Sequence, residues 1–205
     1  MSNLKELFTA TYSNGSWLSE GSKSGPGSTL PYTVNFRNTL LDIIKSKKVK
    51  TIFDCSCGDW TWMKEIKEHL PNYVGNDIVE SLIEDNTKKY ESNNIKFICG
   101  DMLDTLKTYE PNSVDLIICR HTLEHLPTEY CVNVVSEIKR VGKFALITSM
   151  NGDNSEIKLD GVLSRVVNLE KDEYYKILGN PTNKYWDTMG EQVDGTNHCN
   201  FYKLK

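Results

Sequence analysis

The sequence lacks an excess of positive charge, since 24 lysines and arginines stand against 28 aspartates and glutamates, a formal net charge of −4. Clustered Lys and Arg hold a phosphate backbone, so this composition argues against a nucleic-acid partner. The sequence also lacks an apolar run near the roughly 20 residues that a membrane helix needs, and its first residues lack the apolar core of a secretion signal. These absences predict a soluble, cytoplasmic protein without a membrane partner.

The six cysteines show neither a disulfide framework nor paired metal-ligand spacing. Several lie in apolar, strand-like runs, which favours reduced and buried thiols. Cys55 and Cys57 have no second Cys or His pair nearby, so a structural zinc is not expected. His121 and His125, four residues apart with Glu124 between them, have a spacing that binds zinc on a helix. The strand predicted just before them argues against a full helical turn there, and we expect no metal.

What the sequence does contain is a regular alternation of short apolar runs and helical patterns. Helical patterns lie between most of the apolar runs, and another, at 33–46, precedes the first run. Alternating strands and helices need crossover connections, which predicts a parallel sheet covered on both faces. A last strand at an edge is expected from 198–205. The five runs that predict the other strands are 50–55, 72–76, 95–99, 114–119 and 144–149.

We expect one domain over 1–205, because the sequence shows no internal repeat and no linker. Residues 1–31 are rich in Ser, Gly, Asn and Thr without a hydrophobic period, which predicts an arm and a flexible loop. Residues 32–150 hold the alternating pattern, and 151–205 are polar and aromatic with few clear elements. Four late aromatic residues are candidates to line a pocket or to cover a small core. These are Tyr174, Tyr175, Tyr185 and Trp186.

The segment KTIFDCSCGDW, 50–60, places an acid at the end of the first predicted strand and a glycine in the following turn. Such a turn can present backbone N–H groups to a nucleotide. Ligands of parallel sheets bind outside the carboxyl ends of the strands, so residues that follow different strands are expected to meet in one crevice. The residues in these positions are Asp54, Gly58, Asp77, Asp101, Arg120, His121, Asn151 and Asp153.

Over 51–150 the sequence resembles the class I S-adenosylmethionine-dependent methyltransferases. Their first strand and turn usually read D/E-x-G-x-G-x-G; here Asp54 and Gly58 keep the acid and the middle glycine, whereas Ser56 and Trp60 replace the outer ones. The resemblance implies a Rossmann-like three-layer α/β/α sandwich with a mostly parallel seven-stranded sheet and a C-terminal antiparallel edge strand. It also implies that Trp60 either points away from the cofactor or forms a wall of its pocket.

The resemblance further implies binding of S-adenosylmethionine. Asp77 matches the acid that accepts hydrogen bonds from the ribose hydroxyls, and Asp101 and Met102 match the adenine-binding step. Taken singly, Asp54, Asp77 and Asp101 could each be an ordinary helix cap. The cofactor-binding residues predicted in this way are Ser28, Asp54, Ser56, Gly58, Trp60, Asp77, Ile78, Asp101, Met102, Arg120 and His121.

A narrower resemblance rests on SGPGST at 24–29, CGDxxWM at 57–63, DIVxxLIExN at 77–86 and R-x-x-N-L at 165–169. It is to a subgroup associated with glycan-building enzymes, including those of large DNA viruses. It implies that the Gly-rich loop folds over the cofactor, and that the acceptor is a hydroxyl of a glycan or another small molecule. The acceptor-binding residues predicted are Glu124, Asn151, Arg165 and Asn168.

Transfer of a methyl group from a sulfonium is an in-line displacement that needs alignment and desolvation of the reactants. A hydroxyl acceptor also benefits from a base, and histidine suits that task near neutral pH. His121 is the first candidate base and His125 the second, with Asp153 and Glu124 as alternatives. Arg120 is a candidate to orient an anionic acceptor or the cofactor carboxylate.

Two other functions remain open at this point. One is an NAD-dependent oxidoreductase of Rossmann fold, against which the sequence has one turn glycine where that fingerprint has three. The other is a catalytically silent domain that still binds the cofactor. The sequence predicts no oligomeric state.

Overall fold

The computed structural model describes residues 2–157, 164–187 and 197–205. Short 3₁₀ turns occupy Pro26–Ser28, Met63–His69 and Leu123–His125. The helices are α1 Ser2–Ser13, α2 Val34–Lys47, α3 Glu80–Tyr90, α4 Met102–Lys107, α5 Thr128–Val141 and α6 Asp172–Leu178. The strands are β1 Thr51–Asp54, β2 Asn72–Asp77, β3 Ile95–Cys99, β4 Val114–Cys119, β5 Gly142–Met150, β6 Asn183–Trp186 and β7 Asn197–Lys203.

Within the described ranges, the strands form one seven-stranded sheet in the order β3-β2-β1-β4-β5-β7-β6. Neighbours among β1 to β5 pair in parallel, whereas β7 is antiparallel to both β5 and β6. β6 therefore runs in the same direction as β5. The carboxyl ends of β1 to β6 consequently lie at one edge of the sheet, where a ligand site is expected.

The two faces of the sheet bury separate apolar clusters because successive strand residues point to opposite sides. Phe53 and Ile117 pack on the face covered by α1, α4, α5 and α6. Their neighbours Ile52 and Ile118 pack on the face covered by α2, α3 and the 3₁₀ turn Met63–His69. This arrangement confirms the predicted Rossmann-like three-layer α/β/α sandwich.

The N-terminal arm is a helix instead of the predicted irregular segment. Leu4 and Phe8, one helical turn apart on α1, pack against the same cluster as Phe53. Ser, Thr and Asn have weak helix propensity because they compete for backbone hydrogen bonds, so packing decides the structure here. Among the described residues, no helix is both long enough and apolar enough to cross a membrane.

The last strand runs antiparallel, as expected, but it lies one position inside the edge. β6 pairs along the outer side of β7, with Tyr185 opposite Cys199, and β6 itself forms the edge. The sequence analysis missed β6 and α6 because both are short and lie in the polar, aromatic stretch. The five strands it did predict agree with β1 to β5 to within two residues at each end.

Replacement of Leu116 by alanine tests the central position of β4 in the core. Leu116 is 0% exposed, so Leu116→Ala is expected to lower the free energy of unfolding by about 2–5 kcal/mol through lost burial and a residual cavity. Leu18 is 68% exposed, and Leu18→Ala should change the free energy of unfolding by less than about 0.5 kcal/mol. Urea denaturation followed by circular dichroism measures both. Equal effects would contradict the assigned burial.

Candidate functional site

A cavity of about 520 Å³ lies at the edge of the sheet where β1, β2 and β4 end. Its floor comes from the segments that follow these strands. Its roof, a name we use for α1 together with residues 17–28, contributes Phe8, Tyr12, Trp17 and Ser24–Ser28. The structure brings together all of the predicted cofactor-binding residues except Trp60. These are Ser28, Asp54, Ser56, Gly58, Asp77, Ile78, Asp101, Met102, Arg120 and His121.

Asp77 ties the turn after β1 to the end of β2. The Gly58 N–H donates to Asp77 Oδ2 at 3.0 Å, and the Val79 N–H donates to Asp77 Oδ1 at 3.0 Å. Gly58 has φ of +56°, a region that favours glycine. Burial raises the pKa of Asp77 to about 6, although these backbone hydrogen bonds oppose the rise. Two carboxylate oxygens can accept about four hydrogen bonds, so capacity remains for ligand hydroxyls.

Asp54 anchors a buried chain of hydrogen bonds that takes Trp60 away from the cavity. The Tyr73 hydroxyl donates to Asp54 Oδ2 at 2.8 Å, and Trp60 Nε1 donates to that hydroxyl at 3.0 Å. Burial raises the pKa of Asp54 to about 7 in spite of the Tyr73 hydrogen bond. The Trp60 indole is 0% exposed and packs against Tyr73, Tyr90 and Phe97. The prediction of a cofactor contact for Trp60 is therefore corrected.

Ser56, which stands where the related motif has its first glycine, connects the β1 turn to the end of β4. Its hydroxyl hydrogen-bonds to the Thr122 hydroxyl, and Thr122 Oγ1 in turn donates to the Arg120 carbonyl at 3.0 Å. Both Ser56 and Thr122 line the cavity. A serine at this position thus fixes the floor between two strand ends.

Asp101 caps α4 and also lines the cavity. Its Oδ1 accepts hydrogen bonds from the Leu103 N–H at 2.9 Å, from the Asp104 N–H at 3.3 Å and from the Tyr130 hydroxyl at 2.7 Å. Its Oδ2 is buried and has no hydrogen-bond partner among the described residues. A buried acceptor without a partner is costly, so a ligand N–H group is favoured there. The helix cap is therefore confirmed, whereas the adenine contact of Asp101 stays a prediction.

The roof is fastened to the glycine turn by Ser24 and Asp59. Ser24 Oγ accepts hydrogen bonds from the Tyr12 hydroxyl at 2.9 Å and from the Asp59 N–H at 3.0 Å. Asp59 Oδ2 accepts from Ser22 Oγ at 2.9 Å and from the Lys23 N–H at 2.6 Å. The Gly-rich loop thus lies directly over the turn that follows β1.

Four charged side chains meet at one end of the cavity, which we call the charged end: Arg120, His121, Glu124 and Asp187. Arg120 Nε donates to Asp187 Oδ1 at 2.9 Å, and His121 Nε2 lies 2.9 Å from Asp187 Oδ2. His121 Nδ1 lies 2.7 Å from Glu124 Oε1. The sequence analysis missed Asp187 because β6, which delivers it to this edge, was not predicted.

The charges at this end decide the protonation state of His121. Burial and the Arg120 cation lower the pKa of His121, but the Asp187 and Glu124 carboxylates outweigh both and raise it to about 9. Burial favours the neutral carboxyls, yet the neighbouring cations hold the pKa of Asp187 and of Glu124 below their usual ranges. His121 is therefore an imidazolium at neutral pH, with both ring nitrogens facing carboxylates. Because such a group has no lone pair for a proton, the arrangement argues against His121 as the base.

His125 lines the cavity and packs against the roof. Its ring centroid lies 5.0 Å from that of Trp17, which in turn lies 5.5 Å from Tyr12 and 5.8 Å from Phe8. Phe8, Tyr12 and Trp17 of the N-terminal segment therefore form one aromatic wall of the cavity, which we call the aromatic wall. The late aromatic residues do not contribute to it: Tyr174 is 1% exposed in the core, and Trp186 is 61% exposed on β6.

Arg165 and Asn168 hold the chain after β5 and do not line the cavity. Arg165 Nε donates to the Leu126 carbonyl at 2.8 Å, and its Nη1 donates to the Ser155 carbonyl at 2.7 Å. Asn168 Nδ2 donates to the Gly152 carbonyl at 2.9 Å. The expected contact of these two residues with an acceptor is corrected, because their polar atoms are used within the chain.

Asp153 and Asn151 also lie outside the cavity. The Asp153 side chain is 94% exposed and pairs with Lys171, which lowers its pKa. Asn151 is exposed in the bend that follows β5. Both residues follow a strand end, as predicted, but the chain turns outward there. The expectations of a catalytic Asp153 and an acceptor-binding Asn151 are therefore corrected.

Residues 53–144 match the family model of a methyltransferase domain. A 1,6-didemethyltoxoflavin-N1-methyltransferase from Burkholderia thailandensis aligns over 98% of this chain and 87% of its own, at 11% identity and a TM-score of 0.70. The PH0226 protein from Pyrococcus horikoshii aligns over 92% and 100%, at 18% identity and a TM-score of 0.59. The magnesium protoporphyrin IX methyltransferase from Synechocystis aligns over 80% and 76%, at 15% identity and a TM-score of 0.56.

At these identities the structural likeness shows the fold alone. Among proteins with a curated description, none matches the sequence. The sheet order, the cavity at the strand ends and the family match together define a methyltransferase of Rossmann-like fold. The match to the methyltransferase domain over 53–144 supports the predicted resemblance to the class I S-adenosylmethionine-dependent methyltransferases.

Replacement of Gly58 by alanine tests the contact between turn and roof. A Cβ at Gly58 would lie 2.6 Å from Ser24 Oγ, so Gly58→Ala should displace the roof and weaken S-adenosylhomocysteine binding by about tenfold or more. Gly21 also has a positive φ, +91°, but a Cβ there meets nothing within 4 Å. Gly21→Ala thus shares the backbone strain without the clash, and its affinity should stay near wild type. Calorimetric titration measures both, and equal affinities would contradict the assigned role.

Proposed function

We propose that the chain transfers the methyl group of S-adenosylmethionine to a hydroxyl of a small acceptor, with a sugar or glycan hydroxyl as the preferred acceptor. The observation that carries the proposal is the cavity, which Asp77, Asp101 and Glu124 line together. The Synechocystis enzyme was crystallised with S-adenosylmethionine, and the Burkholderia enzyme with S-adenosylhomocysteine.

The residues at the strand ends suit this cofactor chemically. Asp77 retains acceptor capacity for two ribose hydroxyls beside its backbone hydrogen bonds. The unpartnered Asp101 Oδ2 matches the exocyclic amine of adenine. Ile78 and Met102 supply apolar surface on the same part of the wall. Acceptors and apolar surface are thus available for the adenosine part.

The size and cover of the cavity support a small acceptor. About 520 Å³ must hold both reactants, and the roof lies over them. A macromolecule would need an open groove or a basic surface, and the net charge of −4 offers no general attraction for a polyanion.

The aromatic wall and the charged end together suit a sugar ring. Trp17, Tyr12 and Phe8 provide flat apolar surface, and the Glu124 carboxylate lines the same cavity. Sugars present apolar ring faces and hydroxyl edges, which match aromatic rings and carboxylates. This combination is the reason for preferring a sugar hydroxyl.

Glu124 is the proposed base, because its carboxylate lines the cavity and the neighbouring cations keep it ionised. When bound, the cofactor supplies an electrophilic methyl group on a positively charged sulfur. In-line attack by the acceptor oxygen would break the sulfur–methyl bond and release S-adenosylhomocysteine, and the proton of the acceptor hydroxyl would pass to the ionised Glu124 carboxylate. His121 holds Glu124 in place through its Nδ1 at 2.7 Å. His125 remains an alternative base, although its ring packs against Trp17.

We further propose that 1–205 acts as one domain, in which 1–31 covers the cofactor, 32–150 forms the binding core and 151–205 completes the acceptor side. Asp187, which lies in the last of these segments, supports this division because it contacts Arg120 and His121 of the core. The six cysteines are all unpaired, which supports a reducing compartment such as the cytoplasm.

A labelled-methyl transfer assay over sugars, phenols and carboxylates, combined with calorimetry, tests the proposed function. Label transfer to sugars with saturable binding of S-adenosylmethionine is expected. Binding of the cofactor without transfer to any acceptor would favour a catalytically silent domain. Binding of NAD in its place would favour the oxidoreductase, and either result would overturn the proposal.

Replacement of Asp77 by asparagine removes the charged acceptor for the ribose hydroxyls. Asp77→Asn is expected to weaken S-adenosylmethionine binding by roughly 1.5–3 kcal/mol, because hydrogen bonds to charged groups contribute about that much. Asp42 is exposed on α2, and Asp42→Asn should leave the affinity unchanged. Isothermal titration calorimetry compares the two variants. An Asp77→Asn variant with wild-type affinity would remove Asp77 from the cofactor site.

Replacement of Glu124 by glutamine tests its role as the base. Glu124→Gln keeps the size of the side chain but loses the negative charge, and kcat is expected to fall by about 10²-fold or more. The affinity for S-adenosylmethionine should change little. Glu129 is exposed on α5, and Glu129→Gln should behave as wild type. Turnover of Glu124→Gln within a few-fold of the control would place the base elsewhere.

A further inference from the structure

We propose that Asp187 is a positioning residue of this site: its carboxylate holds Arg120 and His121 at the charged end, and through them holds both the roof and Glu124. The inference deepens the proposed function and rests on it for its kinetic readout. Asp187 lies outside the segment matched by the family model, 53–144, and outside the strand-end residues singled out in the sequence.

Asp187 is a fully buried carboxylate at the same edge of the sheet as the cavity. It directly follows β6, which runs in the direction of β5, and it is 0% exposed. In the strand order, β5 and β7 separate β6 from β4, so Asp187 reaches back across two strands. A buried charge is stable only when it is paired, and each of its oxygens faces a cation at 2.9 Å.

The first branch runs from Asp187 through Arg120 to the roof. With its Nε on Asp187, the Arg120 guanidinium donates from Nη2 to the Gly27 carbonyl at 2.9 Å. The same group lies 5.1 Å from the Phe36 ring and 5.7 Å from the Trp62 ring, which adds cation–π attraction. The Arg120 guanidinium is planar, and contacts at its edge and on its face together fix its orientation. Its hydrogen bond to the Gly27 carbonyl therefore holds this loop over the cavity.

The second branch runs from Asp187 through His121 to Glu124. His121 Nε2 lies 2.9 Å from Asp187 Oδ2, a charge contact without hydrogen-bond geometry, and His121 Nδ1 lies 2.7 Å from Glu124 Oε1. His121 has φ of +49°, which a non-glycine residue adopts at a cost, and its N–H donates to Thr148 Oγ1 at 3.0 Å. The surrounding contacts therefore hold a strained residue, and the imidazole fixes where the Glu124 carboxylate lies.

The pH at which His121 loses its proton depends on the charged groups around it, so this pH reports whether the Asp187 carboxylate is in place. Arg120 precedes it after β4, Glu124 and His125 lie in the following 3₁₀ turn, and Asp187 follows β6. When Asp187 loses its charge, the Arg120 and His121 cations are still neighbours, but only the Glu124 carboxylate remains beside His121 to compensate them. The proton on His121 is then held less tightly, and its titration midpoint moves to lower pH.

Nuclear magnetic resonance titration of the His121 ring tests the inference without any assay of activity. The signal is assigned from its absence in His121→Asn. The wild-type midpoint is expected near pH 9, and Asp187→Asn should lower it by about one unit or more. The control Asp42→Asn should leave it in place. An unchanged midpoint in a folded Asp187→Asn variant would overturn the inference.

A second variant covers the case in which Asp187→Asn does not fold. Asp187→Glu keeps the charge but moves the carboxylate by about one methylene group, roughly 1.5 Å. Positioning of both Glu124 and the roof predicts that kcat falls about tenfold or more and that the KM for S-adenosylmethionine rises about threefold or more. Wild-type kcat in Asp187→Glu would overturn the inference.

The two proposals fail in different ways. If the wild-type protein transfers no methyl group to any acceptor, the proposed function fails, whereas the titration midpoint of His121 still decides whether Asp187 holds the charged end. If transfer occurs and neither Asp187 variant changes the midpoint or kcat, the further inference fails alone.

Discussion

The hydrogen bond from the Gly58 N–H to the Asp77 carboxylate is the contact on which the rest of the site depends. It joins the turn after β1 to the end of β2, two strands that pair in parallel with Asp54 opposite Gly75. The bond requires a left-handed backbone at Gly58, which a side chain would disfavour. With this turn fixed, Asp59 presents its N–H and carboxylate to the roof loop, and the cavity acquires both a floor and a cover.

The buried acids of the site divide into two groups by the way their charge is compensated. Asp54 and Asp77 have only neutral hydrogen-bond donors, so burial dominates and their pKa values rise to about 7 and about 6. Glu124 and Asp187 face cations, which hold both pKa values below their usual ranges. The first pair is thus suited to hydrogen bonding with neutral hydroxyls, and the second to ordering charge. Because His121 lies between the Glu124 and Asp187 carboxylates, it is protonated, and we assign it a positioning role instead of the role of a base.

The fold and the floor of the cavity could be predicted because local patterns specify them. β1 to β5 are buried on both faces of the sheet, so they could be recognised in the sequence as apolar runs. The carboxyl ends of parallel strands necessarily share one edge of the sheet, so the position of the site could be predicted too. Side-chain direction could not be predicted, since it depends on partners far away in the sequence. Trp60 turns toward Tyr73, and Arg165 is used by the Leu126 and Ser155 carbonyls. Asp187 was missed for a different reason: it follows β6, and a four-residue edge strand carries too few apolar positions to be recognised.

The central claim is that acids at adjacent strand ends and a glycine turn form a site for an adenosine-containing methyl donor. Calorimetric titration of the protein with S-adenosylhomocysteine, with NAD in a parallel experiment, tests it most directly. The account predicts saturable one-to-one binding of S-adenosylhomocysteine and none of NAD. Absence of saturable S-adenosylhomocysteine binding by the folded protein, or a preference for NAD, would contradict it.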